Sequence, residues 1–139
     1  MIEGIHHIGI AVRNSQEALA RFALLALRPG ETEVVPSEGV KIAFLEVGPA
    51  RIELLEPIDA ASPVAKFLAS RGEGVHHIAF SVPHIEAAVA DARERGFHVI
   101  GEQPRVGHGG RKVAFIHPKS AHGVLLEFVE DRPRSRLHD

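Results

Sequence analysis

Gly4-Ile5-His6-His7-Ile8 is the stretch on which the fold turns, because it returns at an offset of 70 residues as Gly74-Val75-His76-His77-Ile78. The echo continues outward from both copies. Lys41-Ile42-Ala43-Phe44-Leu45 is matched by Lys112-Val113-Ala114-Phe115-Ile116 at an offset of 71, and Ile52-Glu53-Leu54-Leu55 by Leu126-Glu127-Phe128-Val129 at 74. One apolar pentapeptide can recur by chance, whereas three matches in the same order indicate a duplicated module. Two copies are too few for a solenoid, so the halves are expected to pair face to face.

Each copy follows the same order of elements. Ile5 to Val12 is rich in β-branched residues and reads as a strand; Asn14 with Glu17 three residues on resembles a capping box and opens a helix expected to reach about Leu27, where Pro29-Gly30 ends it. Strands are expected at Glu33 to Val35, Val40 to Val47 and Arg51 to Glu56, with Pro36 to Gly39 and Gly48-Pro49 as turns. In the second copy Val75 to Val82 is the strand and Ile85, Ala88, Val89 and Ala92 mark one face of a helix closed by Gly96. Phe97 to Ile100, Lys112 to His117 and Val124 to Val129 supply the remaining strands. The class is α+β: two tandem βαβββ modules at about residues 4–58 and 74–130, joined by a short helix at about 62–72 with Ser62 as N-cap, in one domain. The charged tail from Asp131 to Asp139 has no apolar period and is expected to be poorly ordered.

Composition narrows the classes of function. The 139 residues are 45% hydrophobic and 24% charged with a net charge of −2, a globular balance that gives no support to nucleic-acid binding. Cysteine is absent, which removes disulfides, thiolate nucleophiles and thiolate-bound zinc and suits a reducing, cytoplasmic setting. The longest apolar run, Phe22 to Leu27, is far short of the roughly 20 residues of a membrane span, so a soluble protein with no membrane partner is expected. Ten histidines stand against no Trp, no Tyr and one Met.

Side chains alternate across a strand, so His7 shares a face with Ile5, Gly9 and Ala11, while Ile8, Ile10 and Val12 take the other. His77 likewise lies with Ala79 and Ser81. Small residues beside a histidine leave space that something must fill: solvent, an ion or a ligand. Glu53 and Glu127 interrupt apolar runs on the last strand of each copy and need a cation, a hydrogen-bond network or an exposed edge. Two imidazoles and two carboxylates make a nitrogen and oxygen set suited to a divalent transition metal such as Co, Mn, Zn, Ni or Fe, with positions left for substrate oxygens. His6 and His76, on the opposite face, are read as structural, and His84, His98, His108, His122 and His138 as solvated.

The duplicated module with His7, Glu53, His77 and Glu127 resembles the vicinal oxygen chelate superfamily. Within it, three stretches resemble the methylmalonyl-CoA epimerase family: Glu53 to Pro57, Ser62 to Leu68, and Pro104 through Gly107-His108-Gly109-Gly110 to Ser120 followed by Gly123 to Glu127. The resemblance covers about residues 4–130. It implies a mixed β-sheet bent into a U-shaped cleft, a divalent metal held by His7, Glu53, His77 and Glu127, and a homodimer. The implied reaction interconverts the C2 epimers of methylmalonyl-CoA through an enolate, with Glu53 and Glu127 as acid and base. Lys119, Ser120, Gly109 and Gly110 are the expected contacts to the acyl-CoA substrate. Some epimerases place a glutamate where this chain has Ile42, and Ile42 cannot exchange protons. A glyoxalase-type isomerase and a non-catalytic small-molecule binding or resistance protein of the same superfamily remain as alternatives.

Overall fold

The computed structural model describes residues 1–25 and 27–131. Most of the expected tail therefore lies outside the described residues, as does His138. The strands are β1 Gly4–Ala11, β2 Arg28–Val35, β3 Val40–Val47, β4 Ala50–Pro57, β5 Gly74–Val82, β6 Val99–Val106, β7 Lys112–Ile116 and β8 Leu126–Glu130. The α-helices are α1 Ser15–Ala23, α2 Pro63–Arg71 and α3 Ile85–Glu94. The chain forms two compact units, one from His7 to His77, the other from Met1–His6 together with the described residues from Ile78 on.

In the unit from His7 to His77, β4 pairs in parallel with β1 and antiparallel with β3, which pairs antiparallel with β2. Alternation along these strands separates two apolar layers. Ile10, Val12, Ala43, Leu45 and Leu54 pack against Ala18, Leu19 and Phe22 of α1. Ala11, Ile42, Phe44 and Leu55 pack against Val64, Phe67 and Leu68 of α2. The second layer covers only part of its face; His7, Gly9 and Glu53 continue the same face beyond it. The other unit repeats the plan: β8 pairs in parallel with β5 and antiparallel with β7, and β7 pairs with β6. Here Ile85, Ala88, Val89 and Ala92 of α3, the stripe read from the sequence, pack on Val82, Val99, Ala114, Ile116 and Phe128.

Several boundaries differ from expectation. α1 stops at Ala23, short of Leu27, because Leu24 and Leu25 donate N–H bonds three residues back, to Arg21 and Phe22. Both leucines are exposed, so the apolar run there is not a continuous helix face. Pro29-Gly30 then lies inside β2, and β6 runs past Ile100 through Pro104 to Val106. A proline is tolerated on a strand paired along one side, since the missing N–H breaks no ladder bond, and both ladders shift register near it.

The helices are tied to the strands by a device the motif reading missed. Glu56, at the end of β4, accepts hydrogen bonds from the Ser15 amide at 2.8 Å and the Ser15 hydroxyl at 2.9 Å. Glu130, 74 residues on and at the end of β8, accepts from the Ile85 amide at 3.1 Å. A carboxylate at a helix N-terminus satisfies an orphan donor and opposes the helix dipole. Replacing Glu56 with Ala is expected to destabilise the fold by about 1–2 kcal/mol, seen as a Tm several degrees lower in a circular-dichroism melt. An unchanged Tm would remove this role from Glu56.

Candidate metal centre

Three of the four side chains singled out as ligands lie in the unit from His7 to His77. His7 on β1 is 5% exposed and Glu53 on β4 is 6% exposed. Parallel pairing sets Glu53 opposite Gly9, and antiparallel pairing sets it opposite Phe44 on the other side. Glu53 Oε2 stands 3.3 Å from His7 Nδ1. The other nitrogen of that ring, Nε2, is 3.0 Å from Nε2 of His77, and the two rings are nearly perpendicular. His77, on β5, is also buried.

Gly9 is what makes room for this. A Cβ built there would fall within 2.9 Å of three atoms of the His77 ring, so only glycine lets the imidazole lie on the β1 backbone. The reason is space, since the backbone of Gly9 is not in the left-handed region. Two cis ligands at bonds of about 2.1 Å are separated by about 3.0 Å, and the His7 and His77 nitrogens have that spacing. A carboxylate set against the far nitrogen of a ligating imidazole orients the ring and raises its basicity. The donor set, its burial and the glycine cradle therefore fit a divalent ion.

Glu127 lies on β8 of the other unit, 7% exposed, opposite Ala79 on β5 and Phe115 on β7. It thus holds in its unit the place that Glu53 holds beside Gly9 and Phe44. Ile42, 2% exposed, packs with Phe44, Leu55 and Val64 and offers no titratable atom.

The expected substrate contacts sit in the same unit as Glu127. Gly109 and Gly110 have positive φ values of 73° and 75° in the turn between β6 and β7. The exposed Lys119 donates its amide to His117 Nδ1 at 3.0 Å. The Ser120 hydroxyl accepts from the His98 amide and donates to the His117 carbonyl, both at 3.0 Å. It braces the loop. His98 is not merely solvated, since its ring stacks on His117. Lys112 pairs with Glu86 at 2.8 Å and Arg111 with Asp131 at 3.4 Å, which ties the basic end of the glycine turn to acidic neighbours.

His76 departs most from its sequence reading. Strand alternation assigns it to the face opposite His77, yet its Nδ1 is 3.0 Å from Nδ1 of His77, and the Phe67 ring of α2 meets its own edge-on. The only sequence signal for this contact is the doubled histidine itself.

Residues 6–115 match the model of the Glyoxalase/Bleomycin resistance protein/Dioxygenase superfamily. The chain belongs to that superfamily. The ethylmalonyl-CoA/methylmalonyl-CoA epimerase of Cereibacter sphaeroides is 36% identical over 133 residues, which are 94% of this chain and 99% of that protein. The crystal structure of methylmalonyl-CoA epimerase from Mycobacterium tuberculosis superposes with a TM-score of 0.89 at 34% identity, covering 98% of this chain and 93% of that one. A variant of the Streptomyces coelicolor methylmalonyl-CoA epimerase, in complex with 2-nitronate-propionyl-CoA, gives 0.87 at 38% identity, covering 93% and 94%. The glyoxalase fold expected from the family resemblance is therefore the fold of this chain. Among its described residues no helix is long and apolar enough to cross a membrane.

Proposed function

We propose that this chain is an epimerase that interconverts the C2 epimers of methylmalonyl-CoA. The observation that carries the proposal is the buried pair of His7 and His77 with Glu53 against it and Gly9 beneath it, in a chain about a third identical to epimerases over nearly its whole length. In this reading the two modules act as one domain. His7, His77 and Glu127 hold a divalent ion with Glu53 set behind His7, and Co, Mn, Zn or Ni are the candidates for this nitrogen and oxygen set. When bound, the ion supplies positive charge that stabilises the oxyanion developing on the substrate thioester as the C2 proton leaves.

The chain's own residues do the rest. Glu127 takes the C2 proton on one face of the substrate; the C–H electron pair enters the conjugated system of the thioester and its oxygen carries the charge. Glu53 returns a proton to C2 on the opposite face, which inverts the centre. The equivalent places of the two glutamates in the two modules support this division of labour, and the apolar packing of Ile42 leaves Glu53 as the buried carboxylate on that strand pair. Phe44 and Phe115 stand opposite the two glutamates on the neighbouring strands. Lys119, Ser120 and the Gly109-Gly110 turn are the proposed contacts to the carboxylate and acyl-CoA arm, through ammonium, hydroxyl and backbone N–H donors. The family resemblance also supports a homodimer, for which sedimentation at twice 15.1 kDa is the expected result, and the absence of cysteine supports a cytoplasmic setting.

Incubating the purified chain with methylmalonyl-CoA in deuterated water tests the reading. Metal-loaded protein is expected to place deuterium at C2 of the product epimer while recovered substrate keeps its proton early in the reaction, the signature of two separate proton carriers. Chelator-stripped protein is expected to lose this exchange, and stoichiometric Co2+ or Mn2+ to restore it. A metal-loaded chain that leaves the C2 proton in place has another substrate.

A further inference from the structure

His77 is engaged at both nitrogens of its ring: Nε2 is 3.0 Å from His7 Nε2, and Nδ1 is 3.0 Å from Nδ1 of His76. A neutral imidazole has one N–H and one lone pair. If Nε2 gives its lone pair to an ion, the proton must sit on Nδ1, and the nitrogen 3.0 Å away must accept it. His76 Nδ1 is that acceptor, with its own proton on Nε2. Adjacent residues of a strand normally point to opposite faces, so this edge-to-edge contact requires both rings to turn toward one strand edge. The surroundings hold them there: Phe67 meets the His76 ring at 5.0 Å and 69°, and Gly9 leaves the His77 ring its place on the β1 backbone.

His7 meets the same requirement differently, with Glu53 Oε2 against its Nδ1 at 3.3 Å. One imidazole thus has a carboxylate behind it and the other an imidazole. We infer that His76 is the positioning residue of the centre: by accepting the Nδ1 proton of His77 it fixes the tautomer and orientation in which His77 presents Nε2 to a divalent cation. This rests on the metal reading given above. It assigns work to a side chain outside the ligand set.

Co2+ titration of the metal-free full chain, followed by visible absorption, tests it against two variants. His76→Phe keeps a ring against Phe67 but has no acceptor. His76→Asn puts an amide oxygen near the place of Nδ1. The expected result is one Co2+ bound per wild-type chain, affinity about 10–100-fold weaker in His76→Phe, and most of it regained in His76→Asn, with the metal-free melts of all three coinciding. A merely structural histidine would move the melts and leave the affinity of the folded protein alone. Should His76→Phe fail to fold, 15N correlation spectra of the wild-type Zn2+ form decide: protonation at Nδ1 of His77 and Nε2 of His76 supports the inference, and protonation of His76 at Nδ1 overturns it. Equal Co2+ affinity in wild type and His76→Phe, or an Asn variant as weak as Phe, overturns this inference alone. Wild-type protein that binds no Co2+ overturns the metal reading and this inference with it.

Discussion

Glu127→Gln is expected to slow exchange of the substrate C2 proton by about 10²–10⁴-fold, the range a positioned general base contributes. The amide has the shape and size of the carboxylate and can still accept a hydrogen bond, but it cannot take up a proton at neutral pH. Glu127 is buried between Ala79 and Phe115 on neighbouring strands, where a change of volume would disturb packing and an isosteric change should not. The variant should therefore melt close to wild type. Metal content measured on the same samples separates a lost proton carrier from a lost ligand: a fall in exchange at full occupancy identifies the carrier. Deuterium uptake at the wild-type rate would strip Glu127 of its role in proton transfer.

Gly9→Ala is expected to be nearly as damaging, by a different route. The backbone tolerates alanine, so the effect comes from the added methyl alone, which overlaps the His77 ring. That ring has no slack, being 3.0 Å from His7 on one side and 3.0 Å from His76 on the other. Overpacking of this kind costs about 1–3 kcal/mol, and relieving it means swinging His77 out of register with His7. Loss of stoichiometric Co2+ binding and of C2 exchange should accompany a modest fall in Tm. Gly74→Ala is the control, because a Cβ there meets nothing within 4 Å, and it should bind and turn over as wild type does. If Gly9→Ala kept its Co2+ affinity, the cradle would have no part in ligation.

Much of this was legible before any coordinates. The histidine repeat marked β1 and β5, and residue parity placed His7 with Gly9 and Glu53 with Leu55 on one face of their sheet, as the strand pairing bears out. The α3 stripe and the Ser62 cap of α2 were legible for the same reason: each depends on neighbours a few residues away. The end of α1 was not, because Leu24 and Leu25 continue a helical apolar pattern that the tightened last turn cuts short. The links from Glu56 to Ser15 and from Glu130 to Ile85 span 41 and 45 residues. Their recurrence at the repeat offset was the available clue.

By itself the sequence determined that βαβββ elements would recur and that His7 and His77 would each emerge on a face of small residues, with Glu53 and Glu127 interrupting apolar strands. Those outcomes follow from hydrophobic periodicity, which is a property of consecutive residues. Only the tertiary structure decided which atoms meet: Glu53 at Nδ1 of His7, the His7 and His77 nitrogens at ligand spacing, His76 behind His77, and a glycine where the imidazole needs room. Periodicity sets the face on which a side chain emerges, whereas its rotamer and partner are set by what packs against it. At this centre the packing partners are 46 and 70 residues away along the chain.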